Sequence, residues 1–100
     1  MTFDWHPDAL QEFEEAGLWY EEQRRRLGVE FSDAVVLAIE AILREPARFQ
    51  PTGDGVRLYR LKRFPYHLFY AFTESTEHVR IMAVMHSRRR PGYWHQRLSG

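Results

Sequence analysis

The chain opens with a short alternation of apolar and polar residues and then changes to helical spacing. Phe3 and Trp5 alternate with polar neighbours as far as Pro7, which predicts a short strand followed by a helix that starts at the proline. We expect this helix to end near Gly28 and a second helix to span about 30–44. Since few residues separate them, the two should form an antiparallel hairpin. The predicted apolar stripe of the first helix consists of Leu10, Phe13, Ala16, Gly17 and Tyr20.

In the second half of the chain the hydrophobic period becomes two. Pro51, Gly53 and Gly55 first mark a loop. Three strands are then predicted, VRLYRLKR, YHLFYAFT and VRIMAVMH, and the middle one is apolar on both faces, as is typical of a central strand. The pattern predicts one α+β domain over residues 1–100. In it, an N-terminal strand and an antiparallel helical hairpin pack on a small, mostly antiparallel sheet of three to four strands.

The composition excludes several classes of protein. With 44% hydrophobic and 15% aromatic residues, the chain is expected to fold, and its lack of cysteine excludes disulfides, thiolate metal sites and a cysteine nucleophile. No apolar run reaches the ~18 residues that span a bilayer, and the acidic N-terminus does not resemble a signal peptide. The five histidines form no i, i+4 pair on a predicted helix. We therefore expect a cytoplasmic protein with no membrane contact, no metal and no cofactor.

Charge is unevenly distributed along a chain whose formal net charge is zero. Residues 1–50 carry 11 acidic and 5 basic side chains, whereas residues 51–100 carry 3 acidic and 9 basic ones. Lys62 is the only lysine among the 14 basic residues, and the planar fork of arginine suits phosphate and carboxylate groups. A GC-rich genome's codon preference would explain the arginine excess but not the segregation. The basic second half therefore indicates an anionic partner.

Three stretches of sequence, in this order of elements, resemble the RelE/ParE superfamily of type II toxin–antitoxin toxins, a group that includes plasmid-stabilisation proteins. They are HPDALQEFEEAGLWYEEQ, VRLYRLKRFPYHLFY and VRIMAVMHSRRRPGYW, and the resemblance covers nearly the whole chain. It implies a growth-inhibiting toxin that a cognate antitoxin holds inactive in a hetero-oligomer. RelE-like members cut ribosome-bound mRNA without a metal, whereas ParE-like members poison DNA gyrase. The resemblance thus implies either the ribosome and its mRNA or gyrase as the target.

If the chain is a metal-independent endoribonuclease, its candidate residues lie mainly near the end of the sequence. Such cleavage needs a base near the 2′-OH, cations around the phosphate and an acid at the leaving oxygen. The predicted catalytic residues are His86, since histidine is a residue type suited to acid–base catalysis, the cations Arg60 and Arg89, and Tyr93, which matches the tyrosine position of RelE-like toxins. The predicted substrate- or partner-binding residues are Arg57, Lys62, Arg88, Arg90 and Trp94.

Each candidate also has a structural interpretation. His86 ends a strand, Arg57 points away from Arg60 and can pair with the acidic helices, and Tyr93 and Trp94 can fold back over the sheet. The neutral charge and the single lysine favour a ParE-like member, because ribosome binding rewards a basic protein. The succession of a histidine, arginines and a tyrosine favours an RNA-cutting member instead. A third hypothesis is a non-toxic, degenerate member that acts only as an antitoxin-binding module.

Overall fold

In residues 1–99, which the computed structural model describes, two helices and five strands are followed by a short 3-10 helix. The sheet has the order β1-β5-β4-β3-β2, in which β1 runs parallel to β5 and all other neighbours are antiparallel. The α+β fold predicted from the sequence is confirmed. The elements are β1 (Thr2–Trp5), α1 (Pro7–Gln23), α2 (Leu27–Arg44), β2 (Gln50–Gly53), β3 (Val56–Arg60), β4 (Tyr66–Thr73), β5 (His78–His86) and the 3-10 helix His95–Ser99.

Both faces of the sheet are buried, which explains why β4 and β5 are apolar at nearly every position. One face packs against the helices, with Leu68, Tyr70 and Ile81 in the main core. The opposite face holds a second, smaller cluster: Val56, Leu58, Phe69, Ala83, Met85 and Trp94. Because β4 contributes to both clusters and pairs with a strand on each side, the prediction of a central strand is confirmed.

The segment predicted as a loop forms an additional edge strand, β2. Gln50 pairs with Leu58 and Gly53 pairs with Val56 in a tight hairpin. The two turn residues, Asp54 and Gly55, both have positive φ, 56° and 75°, as a two-residue hairpin turn requires. The sheet therefore has five strands where three to four were expected.

The turn between the helices lies earlier than the sequence indicates. α1 ends at Gln23, Arg26 adopts a left-handed conformation with φ of 71°, and α2 begins at Leu27. Gly28 does not end α1 but lies in the first turn of α2, where the two helices touch. A Cβ at Gly28 would lie 2.6 Å from the carbonyl oxygen of Gly17, so only glycine allows this approach.

The buried side of α1 is rotated slightly from the predicted stripe. Ala9, Ala16 and Tyr20 are buried, whereas Leu10 is exposed. Glu12 lies three residues after Ala9 and four before Ala16, so it lies on the buried side of the helix and reaches towards β5. Within residues 1–99, neither helix combines the length and the hydropathy that crossing a bilayer requires.

Candidate functional site

The second half of β5 has an open edge, because β1 is short. The β1 pairing ends at Trp5 opposite Ile81, and the chain leaves the sheet after the His6 N–H donates to the Ile81 carbonyl. Beyond that point, side chains bind the free backbone groups of β5. The Val84 N–H donates to Glu12 Oε1 at 3.0 Å, and Arg97 Nη1 donates to the Met82 carbonyl at 3.0 Å. Glu12 and Arg97 thus take the place of a neighbouring strand.

The Glu12 carboxylate holds the C-terminal segment against the body of the protein. Arg97 donates to it through Nη1 and Nη2, each at 2.9 Å, and the Tyr93 hydroxyl donates to it at 2.5 Å. Burial alone would raise the pKa of Glu12, but the hydrogen bonds from Arg97, Tyr93 and the Val84 N–H outweigh burial and lower this pKa. Glu12 is therefore a carboxylate at neutral pH, and Arg97, itself buried, is its main counter-ion.

Tyr93 lies between two guanidinium groups and the carboxylate. Arg89 stacks 3.6 Å from the centre of the Tyr93 ring and also reaches Glu12 Oε2 at 3.5 Å, while Arg97 lies 5.2 Å from the ring centre. Burial, followed by the hydrogen bond to Glu12, raises the pKa of the Tyr93 hydroxyl. The structure thus brings the predicted residues Arg89 and Tyr93 together and directs both of them to Glu12.

Trp94 packs on the face of the sheet that the helices leave uncovered. Only 2% of its surface is exposed, and its ring centre lies 4.7 Å from that of Phe69. The C-terminal segment therefore folds back over the sheet. Trp94 completes the second core there, whereas Tyr93 lies partly buried beside it.

His86 ends β5 beside α1. Its Nδ1 accepts a hydrogen bond from the Arg88 N–H at 3.0 Å, and its ring meets Tyr66 edge to face. The pocket next to it measures about 250 Å³ and is also lined by Glu12, Glu15, Trp19 and Arg89. Two carboxylates beside the histidine make this pocket less favourable for a phosphate than a purely basic one would be.

The predicted cations of β3 lie away from this pocket. Arg57 Nη1 donates to the Phe49 carbonyl at 2.7 Å, and Arg60 Nη1 donates to Gln50 Oε1 at 2.9 Å. Arg60 stands opposite His67, which in turn stands opposite Met85, so the whole of β4 separates Arg60 from β5. Lys62 follows the end of β3 and is exposed. Arg57 and Arg60 are thus not assembled with His86 and Tyr93, and Lys62 does not line the pocket of His86.

Three basic segments meet at one end of the molecule. The Ser87 N–H donates to the Pro65 carbonyl, which joins the β3–β4 connection to the segment after β5. Glu30 binds both Arg24 and Arg63, which joins the helical turn to the same connection. The hydrogen bond from Arg63 lowers the pKa of Glu30. We call this region the basic end, and it holds eight of the 14 basic residues: Arg24, Arg25, Arg26, Lys62, Arg63, Arg88, Arg89 and Arg90.

Sequence reasoning missed Glu12 and Arg97. Glu12 had a signal, since it is a carboxylate between the buried positions of an amphipathic helix. Arg97 had none, because it lies outside every element predicted from the sequence and its partner lies 85 residues away.

In the part of the chain that the structure describes, no group of three or more histidine, aspartate or glutamate side chains could hold a metal ion.

Comparison with known proteins identifies the family. A family model described as the ParE toxin of type II toxin–antitoxin systems, parDE, matches residues 3–91. No relative is found among curated protein sequences. A chain from the chromosomal ParDE system of P. aeruginosa superposes with a TM-score of 0.73 at 13% identity, over 86% of this chain and 95% of that chain. The isolated E. coli RelE toxin superposes with a TM-score of 0.63 at 17% identity, over 95% of this chain and 93% of that chain.

The two solved structures have low sequence identity to this chain, and the similarity to them therefore establishes the fold alone. The family match is of a different kind, since it extends from β1 to the segment after β5 and includes both helices. It also includes His86 and the arginines that follow, whereas Tyr93, Trp94 and Arg97 lie beyond it. On this evidence the chain belongs to the ParE toxin family of type II toxin–antitoxin systems.

Proposed function

We propose that this toxin inhibits growth by binding and poisoning DNA gyrase, and that it does not cut RNA. The observation that carries the proposal is the engagement of the Tyr93 hydroxyl with Glu12. Membership of the ParE family supports the same target, since ParE-like members of the superfamily act on gyrase.

The surroundings of Tyr93 and His86 suit RNA cleavage poorly. A general acid must release its proton to the leaving oxygen, but burial and the hydrogen bond that Glu12 accepts both raise the pKa of the Tyr93 hydroxyl. The nearest cations, Arg89 and Arg97, face the same carboxylate and are not free to surround a phosphorane. Binding to a protein target requires neither a free acid nor a free cation.

We further propose that the cognate antitoxin binds along α2 and the outer edge of β3. The last β3 pair with β2 is Leu58 with Gln50, so the backbone of Tyr59 and Arg60 has no strand on that side. Two adjoining pockets lie along this edge and share Tyr59 and Lys62. The apolar part of this groove is lined by Ala34, Leu37, Ala38, Tyr59 and Leu61. Its four cations, Arg48, Arg60, Lys62 and Arg63, outnumber its two carboxylates, Glu30 and Asp33.

Such a groove suits an extended, acidic and partly apolar segment. Unpaired strand groups bind an added strand through its backbone, and the flanking pockets accept alternate side chains. Leu37 is 65% exposed, so an antitoxin segment over α2 would remove a large apolar surface from water. The cations along the groove complement carboxylates.

The target is tested by producing the toxin without its antitoxin and following growth, mRNA integrity and DNA supercoiling in the same cells. We expect growth arrest with intact mRNA and gyrase-dependent DNA breaks. The variants His86→Ala and Tyr93→Phe should remain toxic, provided that circular dichroism shows them to be folded. Rapid mRNA cleavage that both variants abolish would contradict the proposal and establish an RNA-cutting member. Normal growth, with no inhibition of purified gyrase, would instead assign an antitoxin-binding module.

The groove is tested by co-purification with the protein encoded beside the toxin gene. The double variant Arg48→Glu/Arg60→Glu reverses two charges in the groove and should weaken the complex at least tenfold. Arg88→Glu/Arg90→Glu makes the same change in charge at the basic end and serves as the matched control. Equal losses in both variants would mean that the antitoxin responds to overall charge and not to this groove.

A further inference from the structure

Trp19 is a large aromatic residue that the fold leaves in solvent beside the basic end. It lies on α1, is 55% exposed and lines the pocket that also contains His86 and Arg89. We propose that the basic end binds single-stranded nucleic acid, with phosphates on its arginines and an unpaired base on Trp19. The proposed inhibition of gyrase gives this surface no role.

The first argument is the amount of positive charge that remains available. Glu30 binds Arg24 and Arg63, and Glu12 binds Arg89. The other five cations of the basic end form no side-chain ion pair within residues 1–99, and all five are exposed: Arg25, Arg26, Lys62, Arg88 and Arg90. A group of free, mostly arginine cations on three adjoining segments matches the repeated phosphates of a nucleic-acid backbone.

Neighbouring carboxylates reduce this charge only in part. Glu21 accepts the N–H groups of Arg26 and Gly28, so it is directed to the backbone of the helical turn. Glu22 is exposed near the same turn. Glu15 lines the pocket of Trp19, where the Gln11 amide donates to it at 3.2 Å. Glu12 lines the same pocket, Glu30 binds Arg24 and Arg63, and Asp33 lines a pocket with Lys62 and Arg63. The eight cations of the basic end therefore have six acidic neighbours, and the surface keeps a positive net charge.

The second argument is the exposed indole itself. An aromatic side chain beside a positively charged surface is the combination by which proteins bind single strands, because every unpaired base offers a flat face for stacking. A base in a duplex is already stacked and paired, so Trp19 should contribute to single strands alone. An acidic peptide would use the charge but would gain nothing specific from the indole.

The test measures fluorescence anisotropy of labelled oligo-dT, oligo-U and a DNA duplex with the purified full-length toxin over a range of salt concentrations. We expect tighter binding to the single strands than to the duplex. For three or more phosphate contacts, log K should fall with log salt with a slope of about −2 or steeper, since each contact on a single strand contributes roughly −0.7. The assay contains no gyrase, so its result is independent of the proposed target.

Two variants separate the roles of charge and stacking. Arg88→Glu/Arg90→Glu should weaken binding at least tenfold and reduce the steepness of the slope by about 1.4. Trp19→Ala should weaken binding to single strands roughly 5- to 150-fold with the slope unchanged, because it removes stacking and no charge. The matched control is Arg44→Glu/Arg48→Glu near the other end of α2, roughly 27 Å from its first residue. It should leave binding nearly unchanged.

Three results would overturn the proposal. The first is an absence of binding at about 50 mM salt, where electrostatic binding is strong. The second is an equal loss in the Arg44→Glu/Arg48→Glu control, which would indicate a response to net charge alone. The third is equally tight binding of poly-glutamate that Trp19→Ala leaves unchanged, which would assign the surface to an acidic protein partner. Circular dichroism of each variant shows that a loss is not due to unfolding.

Discussion

At the scale of single residues, Glu12 has the largest structural consequences. Its carboxylate receives the Val84 N–H, the Tyr93 hydroxyl and the Arg97 guanidinium, so one side chain joins α1, β5 and the C-terminal segment. A buried carboxylate is costly unless such partners surround it. The number of partners explains why a charged residue is tolerated on the buried side of α1.

We expect Glu12→Gln to lower the free energy of unfolding by about 3 kcal/mol, because it leaves the buried Arg97 without its main counter-ion. The measurement is urea unfolding at neutral pH. Glu15→Gln, one turn further along α1 and exposed, is the matched control and should change stability by less than about 0.5 kcal/mol. Equal effects of the two substitutions would show that the hydrogen bonds of Glu12 with Val84, Tyr93 and Arg97, which we call the Glu12 network, add nothing to stability.

The same carboxylate predicts how stability depends on pH. The pKa of Glu12 is lower in the folded chain than in the unfolded chain, so its ionised form favours folding above the ordinary carboxyl pKa. This contribution is lost as the pH falls from about 4.5 through the lowered folded-state pKa. Urea unfolding from neutral to acidic pH should therefore show a flatter acid limb for Glu12→Gln than for the original chain. Parallel curves would contradict this assignment.

The sequence identifies the chemically useful residue types in the C-terminal segment, but it does not predict where in the fold their side chains lie. Tyr93 and Trp94 were candidates both for chemistry and for covering the sheet. The choice depends on Glu12, which lies 81 residues before Tyr93. Such a contact arises only when the whole fold places α1 beside β5. Their catalytic and binding roles stay predictions, as do those of His86 and the β3 cations.

At the scale of elements, we expect alanine substitution of two glycines on facing helices to have opposite effects on stability. A Cβ at Gly28 would lie 2.6 Å from the Gly17 carbonyl oxygen, whereas a Cβ at Gly17 would meet only the Ser32 hydroxyl, at 4.0 Å. Gly28→Ala should therefore force the helices apart and destabilise the fold by about 1–3 kcal/mol. Gly17→Ala should stabilise it by up to about 1 kcal/mol, because alanine favours helix.

Thermal unfolding of the two alanine variants compares them directly. The midpoint should fall for Gly28→Ala and stay level or rise for Gly17→Ala. A rise in both would mean that the helices have room to separate at Gly28 and that helix propensity dominates.

The strand that the sequence analysis missed carried a recognisable signal. Asp54-Gly55 is a favoured dipeptide for a two-residue hairpin turn, and both residues have the positive φ that such a turn needs. Pro51 and Gly53 in the preceding segment are poor strand formers, and they masked that signal. β2 is an edge strand, where a proline is tolerated because one side of the strand needs no partner. By contrast, the long apolar runs of β4 and β5 were predicted correctly.

At the scale of the whole molecule, the direction of α1 explains the basic end. His6, just before α1, contacts Ile81, Glu12 contacts Val84, and Trp19 lines the same pocket as His86. The partners on β5 thus advance together with the positions on α1, so helix and strand run side by side in the same direction. The turn after α1 therefore lies beside the segment after β5. Each arginine run taken alone is consistent with helix-end or turn chemistry, and only the three-dimensional arrangement joins them into one surface.

The C-terminal segment also decides whether the sheet is closed. Trp94 covers the second core and Arg97 binds the Met82 carbonyl on the open edge of β5. Removing residues 93–100 would expose that core together with an unpaired strand edge. Loss of a buried tryptophan alone costs about 3–5 kcal/mol, a large part of the roughly 5–15 kcal/mol that stabilises a typical domain.

We therefore expect the chain truncated after Gly92 to be largely unfolded or to associate through the exposed edge of β5, since free strand edges promote such association. Size-exclusion chromatography and thermal unfolding measure both effects. The matched control removes only residues 99–100 and keeps Trp94 and Arg97, so it should remain folded. A truncated chain that stays monomeric with an unchanged unfolding midpoint would show that the helices and the sheet are stable without this segment. The Glu12 network would then serve only to hold the segment in place.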